Sequence, residues 1–304
     1  MTEAIYLEVS QKMEEAPKGK RQPTISGMLK ILGVSRSGYN SWQRRLPSES
    51  EKRKEAVKAR IKEIHEESKE NYGAPKITKK LQQEGETISE RTVGKYMREM
   101  GIKARWVKPW TTTTRNSDFS NSLHNVLDQN FSPDRPNAVW CSDITYIWTL
   151  SGFVYLTSIM DLYSRKIIAW TVSKTLEVSC VIDTINKAKS RRSTDLPLII
   201  HSDRGSQYVS KEYRRITAKM ELSYSRKANP WDNACIEAFH GLIKREWLHF
   251  HKIIDIDHAN RLVFEYIETF YNTTRIHSHC DYISPTDFEK QFTEGQKYGL
   301  LLAG

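Results

Sequence analysis

The chain has 304 residues and a mass of 35.4 kDa; 38% of residues are hydrophobic and 28% charged, and the mean hydropathy is −0.62. That length allows two or more packed domains, and the composition excludes a disordered or collagenous chain. No apolar run approaches the roughly 20 residues of a bilayer span and the first 25 residues hold no signal sequence, so a cytoplasmic protein without a membrane partner is expected.

The net charge of +10 is unevenly placed. Residues 1–120 carry 25 Lys+Arg against 16 Asp+Glu, net +9, whereas residues 121–304 carry 22 against 21, net +1. A basic module that holds a polyanion, joined to a nearly neutral one with another task, fits this division. The four cysteines, Cys141, Cys180, Cys235 and Cys280, form no CxxC pair and read as small core hydrophobes with reduced thiols.

Residues 24–42, TISGMLKILGVSRSGYNSW, predict two short helices around a turn. Ile25, Met28, Leu29 and Leu32 share a helical face, Gly33 ends the first helix, and Ser35 caps a second that carries Tyr39 and Trp42. A charged helix over 51–69 follows, with the stripe Val57, Ile61 and Ile64. A short helix over 75–83 with Ile77 and Leu81 inward, a turn at Gly85 and an N-cap at Ser89 lead to a helix with Val93, Tyr96, Met97 and Met100 on one face. Its opposite face carries Arg91, Lys95 and Arg98, a spacing suited to a recognition helix on DNA. The same stripe also fits a solvated face on an ordinary helical hairpin; two such patterns in the basic half favour DNA. The chain divides into a helix-turn-helix-like segment over 1–50, a second helix-turn-helix domain over 51–105, a linker over 106–130, a core of different pattern over 131–250 and a C-terminal helix and tail over 251–304.

From Asn137 the pattern changes to β. Residues 138–149, 153–164 and 165–173 predict three antiparallel strands, joined at Ser151-Gly152 and Ser164-Arg165. A helix over 176–190 precedes LPLIIHSD (196–203), an apolar strand of the parallel, buried kind; a helix near 210–220, a strand over 221–225 and a helix over about 233–250 complete the order βββαβαβα.

Three acids fall where such a sheet gathers them. Asp143 lies inside the first strand, Asp203 at the end of the buried strand, and Glu237 between Ile236 and Phe239 on the last helix. A carboxylate among apolar residues is costly unless it meets charge or metal. Three oxygen ligands suit Mg²⁺, with Mn²⁺ as substitute, and two ions about 4 Å apart can activate an attacking oxygen and stabilise a leaving one in phosphodiester displacement. Taken singly, Asp143 also reads as a cap or an arginine partner, Asp203 as the start of the turn DRGS, and Glu237 as a surface residue. Asp161, at another strand end, is the competing candidate and is assigned to turn formation before Arg165.

WCSDITYI (140–147), HSDRGSQY (201–208), SRKANPWDNACIEAFHGLIKREW (225–247) and YNTTRIHSHCDYISPTDFE (271–289) resemble the successive signature blocks of the insertion-sequence-three family of bacterial transposases, specifically its second reading-frame product. Residues 72–104 are similar to the helix-turn-helix block that precedes its catalytic domain. The resemblance implies an α/β, retroviral-integrase-type RNase H-like core, with a mixed five-stranded sheet and flanking helices, preceded by all-α helix-turn-helix modules. It implies an Asp-Asp-Glu site on Asp143, Asp203 and Glu237, and a basic residue seven positions after the glutamate, Lys244. The implied reaction is Mg²⁺-dependent cleavage of double-stranded transposon ends, then attack of the freed 3′-OH on another phosphodiester through a circular DNA intermediate. A homodimer or higher oligomer on DNA, an upstream reading-frame product as partner, and a bacterial cytoplasmic location associated with the nucleoid are implied as well. Arg105, Lys227, Lys244 and Arg275 join Arg91, Lys95 and Arg98 as expected DNA contacts.

Two departures stand out. Only 33 residues separate Asp203 from Glu237, slightly fewer than that family usually has, and Cys280 replaces an aliphatic residue. His277, His279 and Cys280 are spaced too tightly for ordinary zinc ligation. A retroviral-type integrase with an N-terminal His/Cys zinc domain is excluded by residue count, since no cysteine precedes Cys141. A DNA-binding repressor with a spent core is the alternative from another class, and a replaced acid would favour it.

Overall fold

The computed structural model describes residues 2–14, 24–105, 123–193, 195–227 and 229–302, in two compact units, 1–60 and 61–304. No described helix is long and apolar enough to cross a membrane.

In the first unit, α1 (Thr2–Glu14), α2 (Ile25–Ile31) and α3 (Arg36–Gln43) form a small helical cluster. Tyr6 and Val9 of α1, Leu29 and Tyr39 make its core, with Ile25, Met28 and Trp42 packed against it. Gly33 adopts φ +67°, and the Ser35 side chain accepts the Gly38 N–H at the start of α3, as that sequence requires. Leu32 shares the period of its apolar neighbours yet lies exposed at the helix end. The helix α1 carries no strong sequence period; the aromatic faces of α3 give it a partner.

α4 (Glu49–Glu67) runs from the first unit into the second. α5 (Ala74–Gln83) packs against α6 (Glu90–Glu99), and Ile61, Ile64, Ile77, Leu81, Val93 and Met97 are all buried. Gly85 turns the chain with φ +94°, and the Ser89 hydroxyl accepts the Thr92 N–H to start α6. Of the linker expected over 106–130, residues 106–122 lie outside the described residues. Its last part belongs to the core: Leu123 is buried there, the Tyr224 N–H donates to the His124 carbonyl, and the Leu127 N–H to the Ser223 hydroxyl.

β1 (Val139–Thr149), β2 (Gly152–Asp161), β3 (Ile167–Ser173), β4 (Ile199–Ser202) and β5 (Glu221–Tyr224) form one mixed sheet in the order β3-β2-β1-β4-β5. The β1–β2 and β2–β3 pairs are antiparallel hairpins, whereas β1–β4 and β4–β5 are parallel and need the crossovers that α7 (Val178–Arg191) and α8 (Lys211–Ile216) supply. One sheet face, with Trp140, Ile144, Ile159, Ile200 and Tyr224, packs on Val181, Ile185 and Ala188 of α7. α9 (Ala234–Glu246) contacts β1 and β2.

The segment after residue 250 is more than a tail. α10 (Ile256–Phe264) passes into a wide π turn over Glu265–Tyr271, and α11 (Pro285–Leu302) follows. Asn272 bonds both the N–H and the carbonyl of Ile167, and Glu289 takes two bonds of 2.9 Å from Arg192, so this segment is stitched to the sheet.

Candidate active site

β1 and β4 run parallel over Val139–Ser142 and Ile199–Ser202, so the residues that follow each pairing, Asp143 and Asp203, emerge at the same end of adjacent strands. Glu237 comes to that end in the first turn of α9. The three carboxylates act on one another. Burial and then Asp143 push Asp203 up to about 6; burial, followed by Asp143 and Asp203, pushes Glu237 up to about 7. Asp203 is therefore harder to ionise beside Asp143, and Glu237 beside both aspartates.

Several groups fix this arrangement. Asp203 Oδ1 accepts the Gly205 N–H at 2.8 Å, and a Cβ on Gly205 would stand 2.9 Å from that same oxygen. The Tyr208 hydroxyl meets the Ser142 hydroxyl at 2.9 Å, and burial together with Asp143 and Asp203 pushes its pKa far up. The loop before α9 is held by Asp232, which is inaccessible to solvent and accepts the Arg226 N–H, Nε and Nη2, Asn229 Nδ2 and Gln129 Nε2. The Arg226 bonds hold that carboxyl far below the usual range, so it stays ionised and keeps the start of α9 in place.

The sequence reading missed His240. One turn after Glu237 on α9, its Nδ1 lies 3.3 Å from Asp143 Oδ2 and its Nε2 lies 3.3 Å from the Ser158 hydroxyl, on the residue paired with Asp143 across the hairpin. The i+3 spacing from Glu237 is the only sequence signal for it.

Asp143 is thus drawn to His240 and Asp203 to Gly205, and among the described residues no three His, Cys, Asp or Glu side chains stand close enough to hold a metal ion as they are. Asp143 acts electrostatically on both Asp203 and Glu237 in this arrangement. The donor set fits a divalent cation nonetheless: all oxygen, three potential negative charges, two of them held in part neutral by burial and repulsion that a cation would relieve. Asp161 is fully buried, accepts the Tyr163 N–H of the turn and also the Asn137 N–H, and is pushed up to about 6, chiefly by burial; both its oxygens serve this corner.

Among the expected DNA contacts, Arg91, Lys95 and Arg98 are exposed along α6, and Lys227 is exposed in the loop before α9. Lys244 is half-buried, its Nζ 4.2 Å from the Tyr146 ring centroid; burial lowers its pKa and Asp143 opposes that. Arg105 is committed elsewhere: Nε bonds Glu70 at 3.2 Å and the guanidinium lies over Phe250. Arg275 is a correction. It is 5% exposed, with Nε and Nη2 each 2.7 Å from the Glu246 carboxylate, so it cannot meet a phosphate. His277 and His279 are likewise internal: the His277 ring accepts the His279 N–H and His279 Nε2 meets the Tyr163 carbonyl, while Cys280 is buried against the Ser164 carbonyl.

Residues 133–230 and 218–285 match integrase core domain families, and residues 52–110 match an HTH-like domain family. The chain is 38% identical over 248 residues to the transposase for insertion sequence element IS904 of Lactococcus lactis, covering 81% of this chain and 98% of that protein. It is 33% identical over 278 residues to transposase InsF for insertion sequence IS3A of Escherichia coli, covering 90% and 96%, and 33% identical over 267 residues to an uncharacterized 31 kDa protein of insertion element IS600 of Shigella sonnei, covering 87% and 98%. Among solved structures, the HTLV-2 integrase catalytic core domain in complex with magnesium aligns with 51% of this chain and 98% of its own, at a TM-score of 0.40 and 18% identity. With its mixed sheet, its helix-turn-helix module and relatives matched over nearly their whole length, the chain belongs to the IS3 family of insertion-sequence transposases.

Proposed function

We propose that this transposase binds the terminal inverted repeats of its element through α4–α6 and cuts and joins DNA at Asp143, Asp203 and Glu237. The observation that carries this reading is that Asp143 burdens Asp203, and both aspartates burden Glu237, across two adjacent strands and the first turn of one helix. Structural ion pairs relieve such a burden with arginine or lysine; the shifts of Asp203 and Glu237 have no basic group among their causes.

The three acids would hold two divalent ions, Mg²⁺ or Mn²⁺. When bound, the metal supplies Lewis-acid polarisation of the scissile phosphate and makes the attacking hydroxyl a stronger nucleophile. His240 is a positioning residue: braced by Ser158, it holds Asp143 in the metal-free arrangement, from which a cation draws the carboxylate. Asp232 and Arg226 fix the loop from which Glu237 enters. Lys244, on the face of α9 that also bears Glu237, neutralises DNA phosphate next to the reacting one. Arg91, Lys95 and Arg98 along α6 contact the repeat, and two or more copies hold the two ends together.

The test is Mg²⁺-dependent cleavage and strand joining on a terminal-repeat duplex. Asp143→Asn, Asp203→Asn and Glu237→Gln each lower both steps by on the order of 1000-fold, about 4 kcal/mol of barrier, while repeat binding persists. Equal joining by wild type and Glu237→Gln would remove the assignment of the site, and loss of repeat binding in these folded variants would remove the division of labour.

A further inference from the structure

Beyond Ser142, β1 continues as a hairpin with β2 past the end of its pairing with β4. Tyr146 and Trp148 continue the row of β1 side chains begun by Trp140 and Ile144, and there the row leaves the core: Tyr146 is 44% exposed and Trp148 61%. Phe153, directly across from Trp148, is 51% exposed. The three rings stand edge to face, Tyr146 and Trp148 with centroids 5.5 and 4.7 Å from that of Phe153. They form a continuous aromatic platform in water, a costly surface for a hairpin to keep unless something stacks on it.

The neighbourhood selects what stacks. Lys244 Nζ lies over Tyr146, so a cation marks the end of the platform nearer the carboxylates. Tyr146 is three residues and Trp148 five from Asp143 along the same strand, about 10 and 17 Å at the rise of an extended chain; their rings stand on the face opposite the Asp143 side chain, reached across the edge of β1 that β4 leaves uncovered after Ser142. Nucleotides rise about 3.4 Å along a strand of DNA, so the platform spans the first five or so nucleotides from a phosphate held at the carboxylates. Aromatic rings interleaved with a cation are the chemistry by which proteins hold unpaired bases.

We propose that Tyr146, Trp148 and Phe153 are a binding site for unpaired DNA bases next to the scissile phosphate, so that the transposon end is held frayed at its last few base pairs during cutting and joining. This rests on the assignment of the carboxylates as the reaction centre. The platform holds the strand by stacking, without reading its sequence, while recognition of the repeat is left to α6.

The test compares two terminal-repeat duplexes, fully paired and mismatched over the last five positions, in full-length protein with Ca²⁺ to prevent cleavage. Wild type prefers the mismatched end by about tenfold, Trp148→Ala and Phe153→Ala remove that preference while retaining affinity for the paired end, and Trp148→Phe retains the preference. 2-Aminopurine within the mismatched stretch is quenched on binding wild type and stays bright with Trp148→Ala. An unchanged preference and quench in Trp148→Ala, with an unaltered circular dichroism spectrum, overturns the proposal. So does a DNA-free dimer in sedimentation velocity that Trp148→Ala converts to monomer, because the platform is then a surface for a second copy. Asp143→Asn, assayed for binding with Ca²⁺ and separately for cleavage with Mg²⁺, separates the two readings: fraying preference that survives where cleavage is lost supports both, and cleavage that survives in Asp143→Asn removes the reaction centre while leaving the stacking result standing.

Discussion

Arg275 and Glu246 give the sharpest stability test, because the pair is nearly dry. Arg275 is 5% exposed, both its donors reach Glu246 at 2.7 Å, and the Tyr266 hydroxyl adds a third bond to that carboxylate at 2.7 Å. Tyr72, whose hydroxyl accepts the Ile276 N–H, and Lys76 border the cluster; burial pushes Lys76 down to about 7, Arg275 adds to that, and Glu246 opposes it. Glu246→Gln removes the charge and leaves a guanidinium and an amine facing each other without compensation. Breaking one partner of such a pair costs about 3–5 kcal/mol, or about 6–20 °C in the melting midpoint of a unit this large. Arg275→Met has a similar cost, and the double variant Glu246→Leu/Arg275→Met recovers most of it, since an apolar replacement of both partners is near neutral. Calorimetry or fluorescence melting of the four proteins measures this. Single variants that lose less than about 1 kcal/mol, or losses that simply add in the double variant, would refute the view of Arg275 as a structural cation. DNA affinity and its salt slope in the double variant Glu246→Leu/Arg275→Met separate this view from a phosphate contact: the slope stays unchanged, whereas a lost phosphate contact would lower it by about one unit.

Other outcomes follow from the same geometry. Arg91→Ala, Lys95→Ala or Arg98→Ala weakens repeat binding and lowers the slope of log affinity against log salt by about one unit for each phosphate no longer neutralised, measured by anisotropy titrations; an unchanged slope makes that stripe of α6 mere surface. Gly205→Ala places a methyl 2.9 Å from Asp203 Oδ1, so cleavage falls by about tenfold or more with the fold intact, and wild-type turnover in this variant would show that the Asp203–Gly205 bond does not set the site. His277 is held neutral, its pKa pushed down to about 3, first by burial and then by Arg275, so the unfolded chain binds a proton there between about pH 6.5 and 3 that the folded chain does not. Stability is therefore full above pH 6.5 and lost on acidification, by up to about 1.4 kcal/mol per pH unit; urea titrations of His277→Gln lose this part of the slope, and an identical pH dependence would contradict it.

The strand pattern made the succession of elements and the antiparallel meander of β1 to β3 legible, because β-branched and aromatic runs bounded by Ser-Gly and Ser-Arg turns leave few alternatives, and Gly152 and Arg165 do take positive φ at those turns. Caps at Ser35 and Ser89 were legible for the same reason: a local bond decides them. What escaped depends on long-range packing. A helix as weakly periodic as α1 exists through Tyr39 and Trp42, 30 or more residues away. Arg275 looks like any exposed arginine in YNTTRIHSH until Glu246 is folded against it, and Leu32 looks buried by period but falls at a helix end that nothing covers. At the candidate site the acids were legible from their apolar neighbours, whereas His240 and Asp232 were not, since a histidine or an aspartate in a polar loop gives no local sign of which carboxylate or arginine it will meet.

The central claim is that Asp143, Asp203 and Glu237 close on divalent cations at a DNA end. A structure of the complex with two terminal-repeat duplexes and Mn²⁺, read by anomalous scattering, tests it most directly. The expected result is manganese between those three side chains, Asp143 turned from His240 toward the metal and the scissile phosphate beside it. Manganese bound by other residues, or Glu237 directed away from both aspartates in an ordered complex, would contradict it.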